Sequence, residues 1–146
     1  MINFTVENAK DFFFDRLAVA DEIDRKSQNA MSKYGAFVRR TAKGLIRPMG
    51  KKGKSAKPGK PPKSFTGLLK ENIFFVYDAA TKSVVVGPTL LNGSKRGSTM
   101  TVPQLLEKGG RTVHWRTRKT ATYNAFPFMV PAAEKNADKF GGFFAE

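Results

Sequence analysis

The stretch that decides the fold is DFFFDRLAVADEIDRKSQNAMSKYGAFVRRTAKG, residues 11–44. Phe13, Leu17, Ala20, Ile23, Ala30, Met31, Tyr34, Phe37 and Val38, with Leu45 just beyond, recur at spacings of three and four, with one gap at Ser27. Residues so spaced share one face of a helix, so the period predicts a long amphipathic helix over 11–44. No proline interrupts it before Pro48. Asn8 or Asp11 is a candidate cap. Early acidic residues suit the positive end of the helix dipole, and Arg39, Arg40, Lys43 and Arg47 suit the negative end. About 30 residues would span about 45 Å, longer than one small globule is wide. A bend or break near Gly35 is therefore expected.

Beyond the helix, residues 48–64 read PMGKKGKSAKPGKPPKS, almost devoid of apolar side chains. This composition predicts a mobile basic loop with nothing buried. Seventeen such residues within a compact domain are unusual and often functional. The period then changes. NIFFVY (72–77) and SVVV (83–86) read as strands joined by a turn over 78–82, with Gly87-Pro88 ending the second. A polar loop follows at 91–99. Residues 102–108, VPQLLEK, read as a short helix with proline near its first turn, ended by Gly109-Gly110. Residues 112–117 and 121–123 read as a second hairpin pair. Residues 131–139 read as a last helix beginning at Pro131 and ended by Gly141-Gly142. The expected fold is α+β in one domain over 1–146. A long N-terminal helix and a C-terminal helix pack on one small antiparallel sheet, with the sheet and shorter helices within 71–139.

Composition narrows the chemistry. The chain has 146 residues, a net charge of +14, one histidine and no cysteine. A chain this long buries roughly 70% of its unfolded surface, so it needs no covalent staples. Without cysteine there are no disulfides, thiolate metal sites or thiol nucleophiles. No apolar run approaches the roughly 20 residues of a membrane span, and residues 1–10 carry no signal-peptide pattern. No membrane partner is expected. Between Arg25 and Pro131 only Glu71, Asp78 and Glu107 are carboxylates, none adjacent in sequence, and His114 has no partner imidazole. No G-x-S-x-G elbow occurs, and the Gly-rich run at 50–55 lacks the surroundings of a phosphate loop. No catalytic residue, cofactor site or metal site is expected, and the protein reads as a non-enzyme.

The charge is segregated. Eleven basic residues lie between Arg39 and Lys70 without one carboxylate, whereas six of the twelve carboxylates precede Arg25. Such a run attracts polyanions. Lys51, Lys52, Lys54, Lys57, Lys60 and Lys63 are the candidates to meet DNA or an acidic neighbour. Phe65 is the only aromatic residue between Phe37 and Phe74, so no platform for stacking single-stranded bases is apparent. Phe12-Phe13-Phe14 and Phe143-Phe144 are candidates either for core filling or for apolar surface covered by another chain.

Three segments resemble a known family. Residues 59–73, GKPPKSFTGLLKENI, are similar to its Gly-x-Pro-Pro…Thr-Gly-x-Leu…Ile signature before a strand, carried here by Gly59, Pro61, Pro62, Thr66, Gly67 and Leu69. Residues 102–110, VPQLLEKGG, are similar to its helix ending in Glu-x-Gly, carried by Glu107 and Gly109. Residues 127–135, PFMVPAAEK, are similar to its Pro-Phe-x-x-Pro-Ala opening of the last helix, carried by Pro127, Phe128 and Pro131. The family is that of tailed-bacteriophage neck and tail-completion proteins, also described as minor tail or virion morphogenesis proteins. Two departures are Phe126, where the family usually has arginine, and the 91–99 loop, which looks inserted.

The resemblance implies a structural protein of the virion head–tail junction, made in the host cytoplasm. It implies a homo-oligomeric ring between a connector or stopper and the tail terminator or tail tube, with genomic DNA passing through the channel. Gly67 and Gly109 are expected to serve backbone geometry, Pro127 and Pro131 to fix the entry to the last helix, and Leu69 and Phe128 to lie in the core. The competing expectation is a small basic protein that binds nucleic acid without sequence preference.

Overall fold

The computed structural model describes residues 16–50, 53–89, 101–113 and 119–144. Its first element is the predicted helix, α1, Arg16–Leu45. The expected caps Asn8 and Asp11 and the Phe12–Phe14 run lie outside the described residues. The chain stays helical through Gly35, so no break occurs there. Gly35 serves close packing instead: a β-carbon at this position would lie 2.6 Å from Val84 Cγ2 and 3.0 Å from Phe75 Cδ2.

After α1 come β1 (Arg47–Pro48), β2 (Lys63–Ser64), α2 (Leu68–Glu71), β3 (Ile73–Asp78) and β4 (Ser83–Pro88). Then follow α3 (Val102–Lys108), β5 (Gly110–Val113), β6 (Thr120–Tyr123), α4 (Met129–Ala137) and a 3-10 turn over Gly141–Phe144. The class is α+β, as the alternation of periods predicts. The single sheet is replaced, among the described residues, by three two-stranded ladders. β3–β4 and β5–β6 are antiparallel, while β1–β2 is parallel, pairing Arg47 with Lys63 and Pro48 with Ser64. Local pattern identifies strands, but which strands pair is a tertiary matter.

Several boundaries move by one or two residues. β4 continues through Gly87 and Pro88, which pair with Phe74 and Ile73; a proline is tolerated at the end of a two-stranded ladder because no third strand needs its N–H. β5 begins at Gly110. α4 begins two residues before Pro131, which then sits in the first turn, where its missing N–H leaves no helical bond unmade.

The core lies where the second half of α1 meets β3 and α4. Val38, Ala42, Ile46, Ile73, Phe128 and Ala132 are buried together, with Tyr34, Leu69, Val86, Leu106 and Met129 packed around them. Phe128 and Leu69 are therefore core residues, as expected. Among the described residues Asn136 is the buried polar one; its amide donates to Thr41 Oγ1 at 2.9 Å and to Ala132 O at 2.7 Å. The predicted apolar stripe is not buried along the whole helix. Leu17 is 78% exposed and Ile23 60%. The β3–β4 turn reaches back along α1 as far as Asp24, which Lys82 Nζ pairs at 2.6 Å. At the far end the 3-10 turn folds back on α1: Phe140 meets Tyr34 edge-on, with ring centroids 4.9 Å apart, and Phe143 lies 5.3 Å from Phe37.

Candidate functional site

The three resembling segments meet at one junction. Phe128 is the N-cap of α4 and offers no side-chain acceptor, and the first turn holds no acidic residue. The first N–H groups of a helix need partners from somewhere. Glu107, near the end of α3, supplies them. Its Oε2 accepts the N–H of Phe128 at 2.9 Å and of Met129 at 3.1 Å, and its Oε1 accepts that of Val130 at 2.9 Å. A carboxylate is also the charge that the positive end of a helix favours. Beside it, Phe126 N–H donates to Leu106 O at 2.6 Å, and Gly59 N–H donates to Ala125 O at 2.9 Å. Gly109 has φ 68°. A β-carbon there would lie 2.9 Å from both Ala125 N and Tyr123 O, so only glycine fits. Gly67 has φ 80° and donates its N–H to Ser64 Oγ at 2.8 Å. Both glycines serve backbone geometry, as expected, and Thr66 is exposed at the entry to α2.

The basic segment is a folded arm. β1–β2 pairing, the Met49 N–H to Ser64 O bond at 2.9 Å and the Gly59–Ala125 bond tie it down at both ends and in the middle. Lys60 N–H donates to Lys57 O at 3.1 Å and closes a turn through Gly59, φ 77°. Pro62 is buried and Pro61 half-buried. This corrects the expectation that nothing in 48–64 is buried: main-chain groups that the sequence leaves without local partners find them on distant elements.

Between this arm and the end of α1 lies a groove of ≈ 540 Å³. Arg47, Lys54, Lys57, Lys60 and Lys63 line it, with Leu45, Ala56 and Pro61 as apolar wall and no carboxylate. Four of the six candidate lysines are thus brought to one place; Lys51 and Lys52 lie outside the described residues. Arg47, read from sequence as a complement to the helix dipole and as one of the basic run, belongs to the same groove. The missed signal is the spacing of the lysines by three.

The three carboxylates between Arg25 and Pro131 lie on separate elements. Among the described residues no three His, Cys, Asp or Glu side chains are placed to hold a metal ion, and His114 lies outside them. Asp78 is engaged in the β3–β4 turn, accepting from Thr81 Oγ1 at 2.8 Å and Ala80 N–H at 3.0 Å. These bonds, the Thr81 hydroxyl foremost, hold its carboxyl below the ordinary value of 3.8. Glu107 is the helix cap, and Glu71 is exposed on α2. No helix among the described residues is long and apolar enough to cross a membrane. No protein-family model, no curated protein and no solved structure matches this chain.

Proposed function

We propose that this chain is a structural, non-enzymatic subunit of a bacteriophage head–tail connector, a neck or tail-completion ring that joins the portal region of the capsid to the tail. Its partners are copies of itself and the neighbouring connector, stopper, tail-terminator or tail-tube proteins. It acts in the virion and assembles in the host cytoplasm. The observation that carries this reading is the junction at 123–130. The three segments that resemble the family are remote in sequence, yet Gly59, Leu106, Glu107 and Gly109 all close on that one stretch.

Two exposed apolar surfaces support this reading. The β3–β4 hairpin turns Ile73, Phe75 and Tyr77 toward α1, while Phe74, Val76 and Val85 face outward, 49%, 64% and 61% exposed. The run IFFVY is continuous rather than alternating, a pattern expected of strands covered on both faces. The exposed end of α1 with Leu17 and Ile23 offers a second, different apolar surface. Two unlike surfaces are what a heterologous ring contact uses.

The test is sedimentation and negative-stain microscopy of the nuclease-treated protein at high concentration. Closed rings with a central hole are expected. A protein that stays monomeric at every concentration and binds DNA tightly in that form would replace this reading with the competing one, a small basic nucleic-acid-binding protein.

A further inference from the structure

The arm that walls the basic groove carries a repeat of its own. Lys54, Lys57, Lys60 and Lys63 follow one another at intervals of three. The turn at 57–60 folds the strip back, and all four lysines line the groove together with Arg47. Lys63 Nζ donates to Lys54 O at 3.1 Å, and among the described residues no salt bridge neutralises these cations.

Five like charges drawn together without a counter-charge are relieved by an anion, and a polyanion supplies several at once. Nucleic acid is such a polymer, with one charge per roughly 3.4 Å of each strand. Four of the five cations are lysines, point charges that meet a phosphate without a fixed geometry. The lining holds no Asn or Gln to read base edges and no aromatic ring to stack on. We infer that this groove binds the phosphodiester backbone of nucleic acid without reading its sequence. The inference stands on the groove alone and does not depend on the connector reading.

The experiment is fluorescence anisotropy of the full chain with two labelled 20-base-pair duplexes of unrelated sequence, between 50 and 200 mM salt. Five phosphate contacts give a log–log slope of about −4.5, a fall in affinity of about 500-fold, equal for both duplexes. Lys57→Gln with Lys60→Gln removes two contacts, so the fall shrinks to about 40-fold. Lys54→Gln with Lys63→Gln should do the same and stands in if the first variant fails to fold by circular dichroism. Lys26→Gln with Lys135→Gln, exposed elsewhere, should leave the slope unchanged. Absence of binding at 50 mM salt, an unchanged slope in the folded groove variants, or a clear preference for one duplex would overturn the inference. Displacement of the duplex by polyglutamate at equal charge concentration would assign the groove to an acidic protein and also overturn it.

Discussion

Removing the Glu107 carboxylate should loosen α4 and with it the core. Three N–H groups depend on this side chain; those of Phe128 and Met129 are part-buried and that of Val130 is exposed. In Glu107→Ala, water replaces the acceptor at Val130 at little cost. The two part-buried donors lose about 1 kcal/mol each, since a partner is removed from a site water reaches poorly. Loss of a negative charge at a helix N-terminus adds about 0.5 kcal/mol. The sum is about 2.5 kcal/mol, or a fall in Tm of about 8 °C for a chain of this size. Glu107→Gln keeps one oxygen for Phe128 and Met129 but turns an amide N–H₂ toward the donors and drops the charge, so about 1 kcal/mol is expected. Urea unfolding reads both as shifts in midpoint at constant m-value, and hydrogen exchange at 128–130 reads the cap directly. An alanine variant within 0.5 kcal/mol of the parent, or a glutamine variant as damaging as alanine, would refute the capping account.

Other outcomes follow from the same geometry. Gly35→Ala gains about 1 kcal/mol of helix propensity but pushes a methyl into Val84 and Phe75, an overpacking cost of about 1–3 kcal/mol, so a small net loss is expected in thermal unfolding. Gly109→Ala should cost more, about 3 kcal/mol, because it combines a left-handed φ with contacts to backbone atoms that cannot swing aside. Val76→Lys with Val85→Glu, an opposite-charge pair across the ladder, should leave the stability of the monomer in urea within about 0.5 kcal/mol, since both positions are exposed, yet abolish assembly in sedimentation. The Asp78 carboxyl lies below its ordinary value, so its contribution is present above about pH 3.8 and lost as pH falls through the lower folded value. Asp78→Asn should therefore be less stable than the parent at pH 7, with the gap narrowing toward pH 2.5.

Much of the scaffold is legible residue by residue. The spacing from Leu17 to Leu45 marks α1, and the bounds of α3 follow from Val102-Pro103 at one end and Gly109 at the other; Thr101 and Gln104 complete a capping box there. β3 and β4 stand out by their apolar β-branched and aromatic runs. The glycines at 67 and 109 show their purpose in the left-handed backbone they adopt. These signals act within a few residues, through sterics and local hydrogen bonds, which is why they survive without knowledge of the rest of the chain.

What the sequence by itself determined is thus the helices α1, α3 and α4, the strands of the β3–β4 and β5–β6 hairpins, the α+β class and the segregation of charge, whereas β1, β2 and α2 carry no local signal. The tertiary structure alone decided the rest. It decided that Gly35 admits a hairpin while the helix continues unbroken, that the 48–64 segment is tied down and lends Pro62 to the interior, and that Glu107 caps a helix beginning more than 20 residues later. It also gathered Arg47 and four lysines into one groove. Each of these depends on partners distant along the chain. A polar group or a charge does not record in its own neighbourhood which remote donor, acceptor or cavity will meet it; only packing of the elements around the core brings them together.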